Sequence, residues 1–276
     1  MARFEAPVAE KPSASRAHRV YFTFAISWIA RFLTFRDRVF GWDKSGRTPE
    51  GIHERSSRHS IVSAASILDA VFVEPVSRPA IAAVLLCHGI GETVEQWFGV
   101  QQILAANGVT SLAFDYSGYG KSAGRPDWDQ FELDAIASFD TLRQLAPHLP
   151  LSVLGFSLGS GVAVATINKV SADRLVLCEA FTSFRGAAHS FWIPKALSFL
   201  VPPIWHAQEQ LSNCKLPVLI VHGERDRLFP VETATDLAAY CSSKAEVVLV
   251  PDTAHNQPFR KPHLSYWGPI VEWLGT

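Results

Sequence analysis

Short, continuously apolar runs alternate along this chain with longer stretches in which apolar residues recur every three or four positions. The runs at 80–87, 110–114, 151–154, 174–178, 216–221 and 246–250 are four to eight residues long, the length and texture of strands buried on both faces. Residues 61–73 alternate more openly and are expected to form a hairpin. Helical spacing is expected over 94–106, stopped by Gly108, and over 130–145, 158–170, 231–240 and 263–273. Strands that alternate with helices in this way form a mainly parallel sheet covered on both faces. The fold class is therefore α/β, with an eight-stranded sheet. No internal repeat or low-complexity tract interrupts the pattern.

Chemistry gathers where the apolar runs end. The run at 151–154 leads into Gly155-Phe156-Ser157-Leu158-Gly159, a G-x-S-x-G turn between a strand and a helix. Such a turn needs glycine on both sides because the backbone is strained and larger side chains would strike the neighbouring elements. It leaves a serine hydroxyl at a helix N-terminus. The run at 80–87 ends in His88-Gly89-Ile90-Gly91-Glu92, a loop able to aim a backbone N–H at an oxyanion. The amides of Ile90 and Leu158 are the candidate donors, and the His88 side chain is expected to shape the turn. The runs at 216–221 and 246–250 lead to Asp226 and His255. Ligands of open α/β sheets bind beyond the carboxyl ends of the strands, so Ser157, Asp226 and His255 are expected at one edge. Glu179, which also ends a strand, is the competing candidate for the acid. Asp115 is expected to brace the loop that follows its own strand.

In the order Ser157, Asp226, His255, and in the turn around Ser157, the chain resembles an α/β-hydrolase of the serine aminopeptidase-like, abhydrolase-domain type from about Ile61 to its C-terminus. Phe114-Asp115-Tyr116-Ser117-Gly118-Tyr119-Gly120-Lys121-Ser122 is similar to the loop after that family's fourth strand. Cys178-Glu179-Ala180-Phe181-Thr182-Ser183 is similar to the segment after its sixth. Ser117 stands where relatives often carry Arg, which removes one loop-bracing ion pair. The family includes lysophospholipid hydrolases and protein-depalmitoylating thioesterases. The resemblance implies hydrolysis of a carboxylic ester or thioester through a covalent acyl-enzyme, with Ser157 as nucleophile, His255 as base and Asp226 as its orienting acid. Amide or small-peptide hydrolysis stays open, as does a non-catalytic, membrane-associated scaffold. No cofactor or metal is implied.

Composition narrows the partners. A formal net charge of −1 over 276 residues gives no basic excess for nucleic acid, so the expected partner is a small acyl substrate. The four cysteines have no metal-ligand spacing. Cys87 and Cys178 lie in apolar runs and are expected to pack, and Cys214 and Cys241 are expected to be reduced in a cytoplasmic protein. Residues 183–214 are aromatic and proline-punctuated, with Phe184, Phe191, Trp192, Phe199 and Trp205 among them. They fall where this fold inserts a lid, here a short apolar one that suits a hydrophobic acyl group.

Residues 1–60 are expected to form a separate lead-in to a hydrolase domain over 61–276. As a helix, 20–35 would place Thr23, Ser27 and Arg31 on a polar stripe among Phe22, Phe24, Trp28 and Phe32. Its length of about 24 Å is short of a membrane span. Peripheral membrane contact through residues 20–38 and packing against the domain or a second subunit both stay open. Residues 41–60 read as an irregular linker.

Overall fold

The computed structural model describes residues 54–64, 66–190, 199 and 201–276. The expected N-terminal amphipathic segment, 20–38, lies outside the described residues. Among those described, no helix is long and apolar enough to cross a membrane.

Eight strands form one sheet: β1 (Glu54–Ser63), β2 (Ser66–Pro75), β3 (Ala82–Cys87), β4 (Val109–Phe114), β5 (Leu151–Phe156), β6 (Arg174–Cys178), β7 (Val218–Gly223) and β8 (Ala245–Val250). Their spatial order is β1-β2-β4-β3-β5-β6-β7-β8. β2 runs antiparallel to both β1 and β4, and every pairing from β4 to β8 is parallel. The expected mainly parallel sheet is therefore present, strand for strand.

One boundary is corrected. Residues 54–60 belong to β1 and not to a linker, with Arg58 paired to Val71 and Ser56 to Val73. β1 is an edge strand with most of its residues exposed, and only Ile61 and Ser63 of it are buried. A strand that buries so little needs no apolar pattern; Arg58 instead reaches Asp69 at 2.8 Å and Glu95 at 3.1 Å.

Helices cover both faces. On one side α1 (Val94–Ala106) joins Val84, Leu86, Leu154 and Val176 from the sheet. Trp97 is its centre, fully buried, stacked on Phe259 at 6.0 Å and edge-on to Phe156 at 5.5 Å. On the other side α2 (Trp128–Leu145) and α3 (Leu158–Ile167) cover Leu85, Val153, Leu175 and Leu177. Asp127 caps α2 by accepting from the amides of Asp129 and Gln130. Every residue of α3 is buried, which explains its small, apolar composition. Short helices α4 (Phe184–Ser190) and α5 (Ala207–Asn213) follow β6, α6 (Glu232–Tyr240) follows β7, and α7 (Gln257–Arg260) and α8 (Leu264–Leu274) close the chain. The short helices α4, α5 and α7 carry too few turns for periodicity to reveal.

Of the aromatic segment expected as a lid, residues 191–198 and 200 lie outside the described residues. Phe184, Val201 and Trp205 are buried in the same core as α3, with Trp128 5.4 Å from Trp205. Phe199 is exposed.

A close backbone contact joins α3 to β3. A Cβ on Gly159 would lie 1.9 Å from the Cys87 carbonyl oxygen and 2.7 Å from that of His88. Gly159→Ala is expected to lower unfolding stability by about 3 kcal/mol or to prevent soluble expression. Urea titration checks it, and a midpoint within error of the parent would contradict the contact.

Candidate active site

The loops that leave β3, β5, β6, β7 and β8 share one edge because these strands are parallel and in register. Cys87 pairs with Gly155, and Phe156 with Cys178. Ser157 follows at φ 52, ψ −116, a left-handed conformation that a β-carbon makes costly, on the order of 1–3 kcal/mol. It is held there from both sides: its N–H donates to the Cys178 carbonyl at 3.0 Å, and its carbonyl accepts from Ser160 N at 2.9 Å and Ser160 Oγ at 2.6 Å.

The three sequence-predicted side chains meet. His255 Nε2 is 2.9 Å from Ser157 Oγ, and His255 Nδ1 is 2.7 Å from Asp226 Oδ2. Asp226 Oδ1 accepts from the amides of Leu228 at 2.7 Å and Phe229 at 3.0 Å, which fixes the carboxylate plane. The loops bearing Asp226 and His255 are locked together, since Arg225 N donates to Thr253 O at 2.9 Å and a Cβ on Gly223 would lie 2.4 Å from the same oxygen. The Phe229 ring stands edge-on to the imidazole at 5.2 Å. Burial alone would raise the pKa of Asp226, but the hydrogen bond and charge of His255, with hydrogen bonds from Glu179 and Phe229, hold it below the usual carboxylate range.

The two expected oxyanion donors lie on adjoining loops. Leu158 opens α3, where helix amides lack intrahelical acceptors. Ile90 sits in the turn after β3, which Glu92 braces by accepting from Gly89 N at 2.7 Å and Trp97 Nε1 at 2.8 Å. His88 is packed inward: its ring lies 4.5 Å from that of Tyr116 and burial lowers its pKa to about 4, so it is neutral. Asp115 braces its loop by accepting from Val94 N at 2.9 Å and Lys121 N at 3.2 Å. Burial raises its pKa to about 7. Ser117 hydrogen-bonds Asp134 through both N (2.7 Å) and Oγ (3.1 Å), and Ser63 Oγ adds a third donor at 2.6 Å. Neutral donors thus satisfy this buried carboxylate. All four cysteines are free.

Glu179, the competing acid, does not reach His255 by any hydrogen bond. Its Oε1 accepts from Gly223 N at 2.9 Å and Tyr266 OH at 3.0 Å. Together with His222 and Asp226 it forms a cluster whose ligand-type atoms lie within 4.8 Å of one another. The donor set does not suit a cation. His222 Nε2 is bonded to the Phe229 carbonyl at 3.1 Å and must carry hydrogen, and both oxygens of Asp226 already accept from protein donors. Sequence reasoning missed His222 and Tyr266 as members of this cluster. The one available signal was a carboxylate, Glu179, closing an otherwise apolar strand.

Residues 78–207 match the model of the serine aminopeptidase S33 family of hydrolases. An uncharacterized protein of Mycobacterium tuberculosis is 32% identical over 180 residues, covering 64% of this chain and 63% of its own length. The lysophosphatidylserine lipase ABHD12 of Danio rerio is 28% identical over 198 residues, covering 63% of this chain and 52% of its own. The chain thus spans less than two thirds of the length of these curated relatives. Among solved structures, an esterase of Pyrococcus furiosus superposes with a TM-score of 0.66 at 22% identity, covering 83% of this chain and 95% of that one.

Burial first, then the hydrogen bond and charge of Asp226, raise the Glu179 pKa from 4.5 to about 9. Between those values the folded chain holds a proton that the unfolded chain releases, so unfolding free energy falls as pH rises through this window. Glutamine cannot ionise and lacks this slope; the like-signed slope from Asp115 is common to both proteins and cancels. Glu179→Gln is therefore expected to gain at least about 1 kcal/mol on the parent between about pH 5 and about pH 8. Denaturant titrations at both pH values measure it, and a constant difference would mean that Glu179 is ionised in the fold.

Proposed function

We propose, for a chain that belongs to the α/β-hydrolase superfamily, that it hydrolyses a carboxylic ester or thioester with a hydrophobic acyl group, using Ser157 as nucleophile. The observation that carries this reading is the unbroken hydrogen-bond path from Ser157 Oγ through His255 to Asp226, built on a serine held at positive φ.

In the first half-reaction Ser157 Oγ attacks the substrate carbonyl as its proton passes to His255 Nε2. Asp226 accepts from Nδ1–H, fixes the tautomer and stabilises the imidazolium. The amides of Leu158 and Ile90 receive the developing oxyanion. Collapse of the tetrahedral intermediate expels the alcohol or thiol, which takes the proton from Nε2, and leaves an ester on Ser157. Water repeats the sequence: it loses a proton to His255, attacks the acyl carbonyl, and the carboxylic acid departs as Ser157 regains its hydrogen. The dry surroundings strengthen each step, since Ser157 is 3% exposed and aromatic rings flank the imidazole.

The acyl preference draws on the aromatic residues that follow β6. Phe181, Phe184 and Trp205 are buried beside α3, and Phe199 carries the aromatic character outward. The lipase name of the Danio rerio relative and the esterase name of the Pyrococcus furiosus neighbour are in keeping with an acyl substrate.

The test is covalent labelling by a fluorophosphonate, followed by turnover of an ester series. The parent should label, and Ser157→Ala and His255→Ala should not. Ester hydrolysis should fall about 10⁴-fold in either variant and by a comparable factor in Asp226→Asn. Activity should rise with acyl length from acetyl to long chain. Fastest turnover of acetyl esters would refute the hydrophobic acyl group, and faster cleavage of aminoacyl anilides than of esters would make the chain a peptidase. A folded parent that neither labels nor turns over would leave only a binding role.

A further inference from the structure

Two acidic side chains occupy one interior site, and the mechanism above uses only one of them. Glu179 directly follows β6 at φ 47, an uncommon conformation for a residue with a β-carbon, and it is wholly buried. The groups facing it come from three elements. Cys178 precedes it on β6, His222 and Asp226 belong to β7 and the loop beyond, and Tyr266 is on α8, while His255, past β8, meets Asp226 instead.

The hydrogen bonds on Glu179 are lopsided. Oε1 accepts from two donors, Gly223 N and Tyr266 OH, while Oε2 has no hydrogen-bond partner of normal geometry. His222 does not neutralise the pair. Its Nε2 lies 3.8 Å from Glu179 Oε2 and 3.5 Å from Asp226 Oδ2, but it is bonded to the Phe229 carbonyl, and burial keeps the ring uncharged. Two carboxyl groups this close in a dry interior cannot both be anions, so one holds a proton. Asp226 has the donors of an anion: two backbone amides on Oδ1 and His255 on Oδ2. Glu179, with one oxygen doubly served and the other empty, has the pattern of a carboxylic acid whose second oxygen carries the hydrogen.

We propose that Glu179 is a positioning residue for the Ser157 chemistry, its carboxyl bearing a proton and presenting it to the Asp226 carboxylate, so that a carboxylic acid and carboxylate together orient His255. The role in turnover rests on the serine-hydrolase reading; the protonated pair itself does not. A hydrogen bond from Glu179 spreads the negative charge of Asp226 and limits how strongly that charge favours the imidazolium. It also fixes the face of Asp226 opposite the backbone amides.

The assignment separates Glu179→Gln from Glu179→Met. Glutamine keeps an oxygen for Gly223 N and Tyr266 OH and an N–H for Asp226, whereas methionine keeps neither. In Glu179→Met we expect kcat to fall about 10-fold with KM little changed, and the acid limb of the kcat/KM profile to move up by about one pH unit. Glu179→Gln should rescue most of the loss and restore the limb. Loss in Glu179→Gln as deep as in Glu179→Met would overturn the proposal, because it would mean that Glu179 works as an anion. An unshifted acid limb in Glu179→Met would also overturn it. An infrared difference spectrum, parent minus Glu179→Gln at neutral pH, supplies a readout independent of turnover. The C=O stretch of a protonated carboxylic acid is expected, and its absence would refute the acid–carboxylate pair even in an active enzyme. Presence of the band in a parent that neither labels nor hydrolyses would support the pair and end the hydrolase reading alone.

Discussion

The turn at Ser157 depends on how closely α3 can approach β3. The serine's left-handed backbone is tolerable only because the chain can double back at once into a helix lying against the neighbouring strand, and that approach leaves no room for a side chain on Gly159. The remaining elements are arranged around this contact. Parallel pairing of β3, β5 and β6 sets Cys87 beside Gly155 and Cys178 beside Phe156, so the carbonyl of Cys178 is in place to hold the Ser157 amide. Further along the sheet, β7 and β8 carry Asp226 and His255 to the same edge, and the bond between Arg225 N and Thr253 O couples their loops.

Electrostatics then divides labour among buried acids that the fold could have used interchangeably. Asp226 receives imidazole or amide donors at both oxygens, and they hold its pKa below the usual carboxylate range. Asp115 receives two amides but sits deeper, and its pKa climbs to about 7. Glu179 faces another carboxylate and climbs further. Asp134 is served by Ser63, Ser117 and Gln130 without any cation. Burial pushes Asp115 and Glu179 toward the neutral acid, whereas the donors on Asp226 outweigh its burial.

Most of this organisation is written in local patterns. The five strands β3 to β7 are continuous apolar runs because both faces are covered. β8 is an apolar run at the sheet edge with Val247 and Leu249 exposed, and Ser157, Asp226 and His255 could be placed because each follows such a run. What escaped local reading has a physical reason. The first seven residues of β1 look like a linker because an exposed edge strand buries almost nothing and is held by backbone pairing and by Arg58. The join between Glu179, His222 and Tyr266 spans three distant segments, and only the register of β6, β7 and the position of α8 bring them together. Aromatic composition drew attention to the segment expected as a lid, yet composition could not separate Phe184 and Trp205, which fill the core, from Phe199, which is exposed.

The complete burial of α3 has a consequence for the lifetime of the site. A helix with no outward face gains nothing from solvent and has little intrinsic tendency to stand alone, since its residues are mostly small or β-branched. It can lose its hydrogen bonds only by separating from β3, β5 and the aromatic layer around Trp128 and Trp205, which amounts to dismantling the interior. The segment that begins at Ser157 is thus bound to the slowest-exchanging, globally opening part of the molecule. Fraying at the edges of the sheet leaves the nucleophile's turn intact until the whole domain opens.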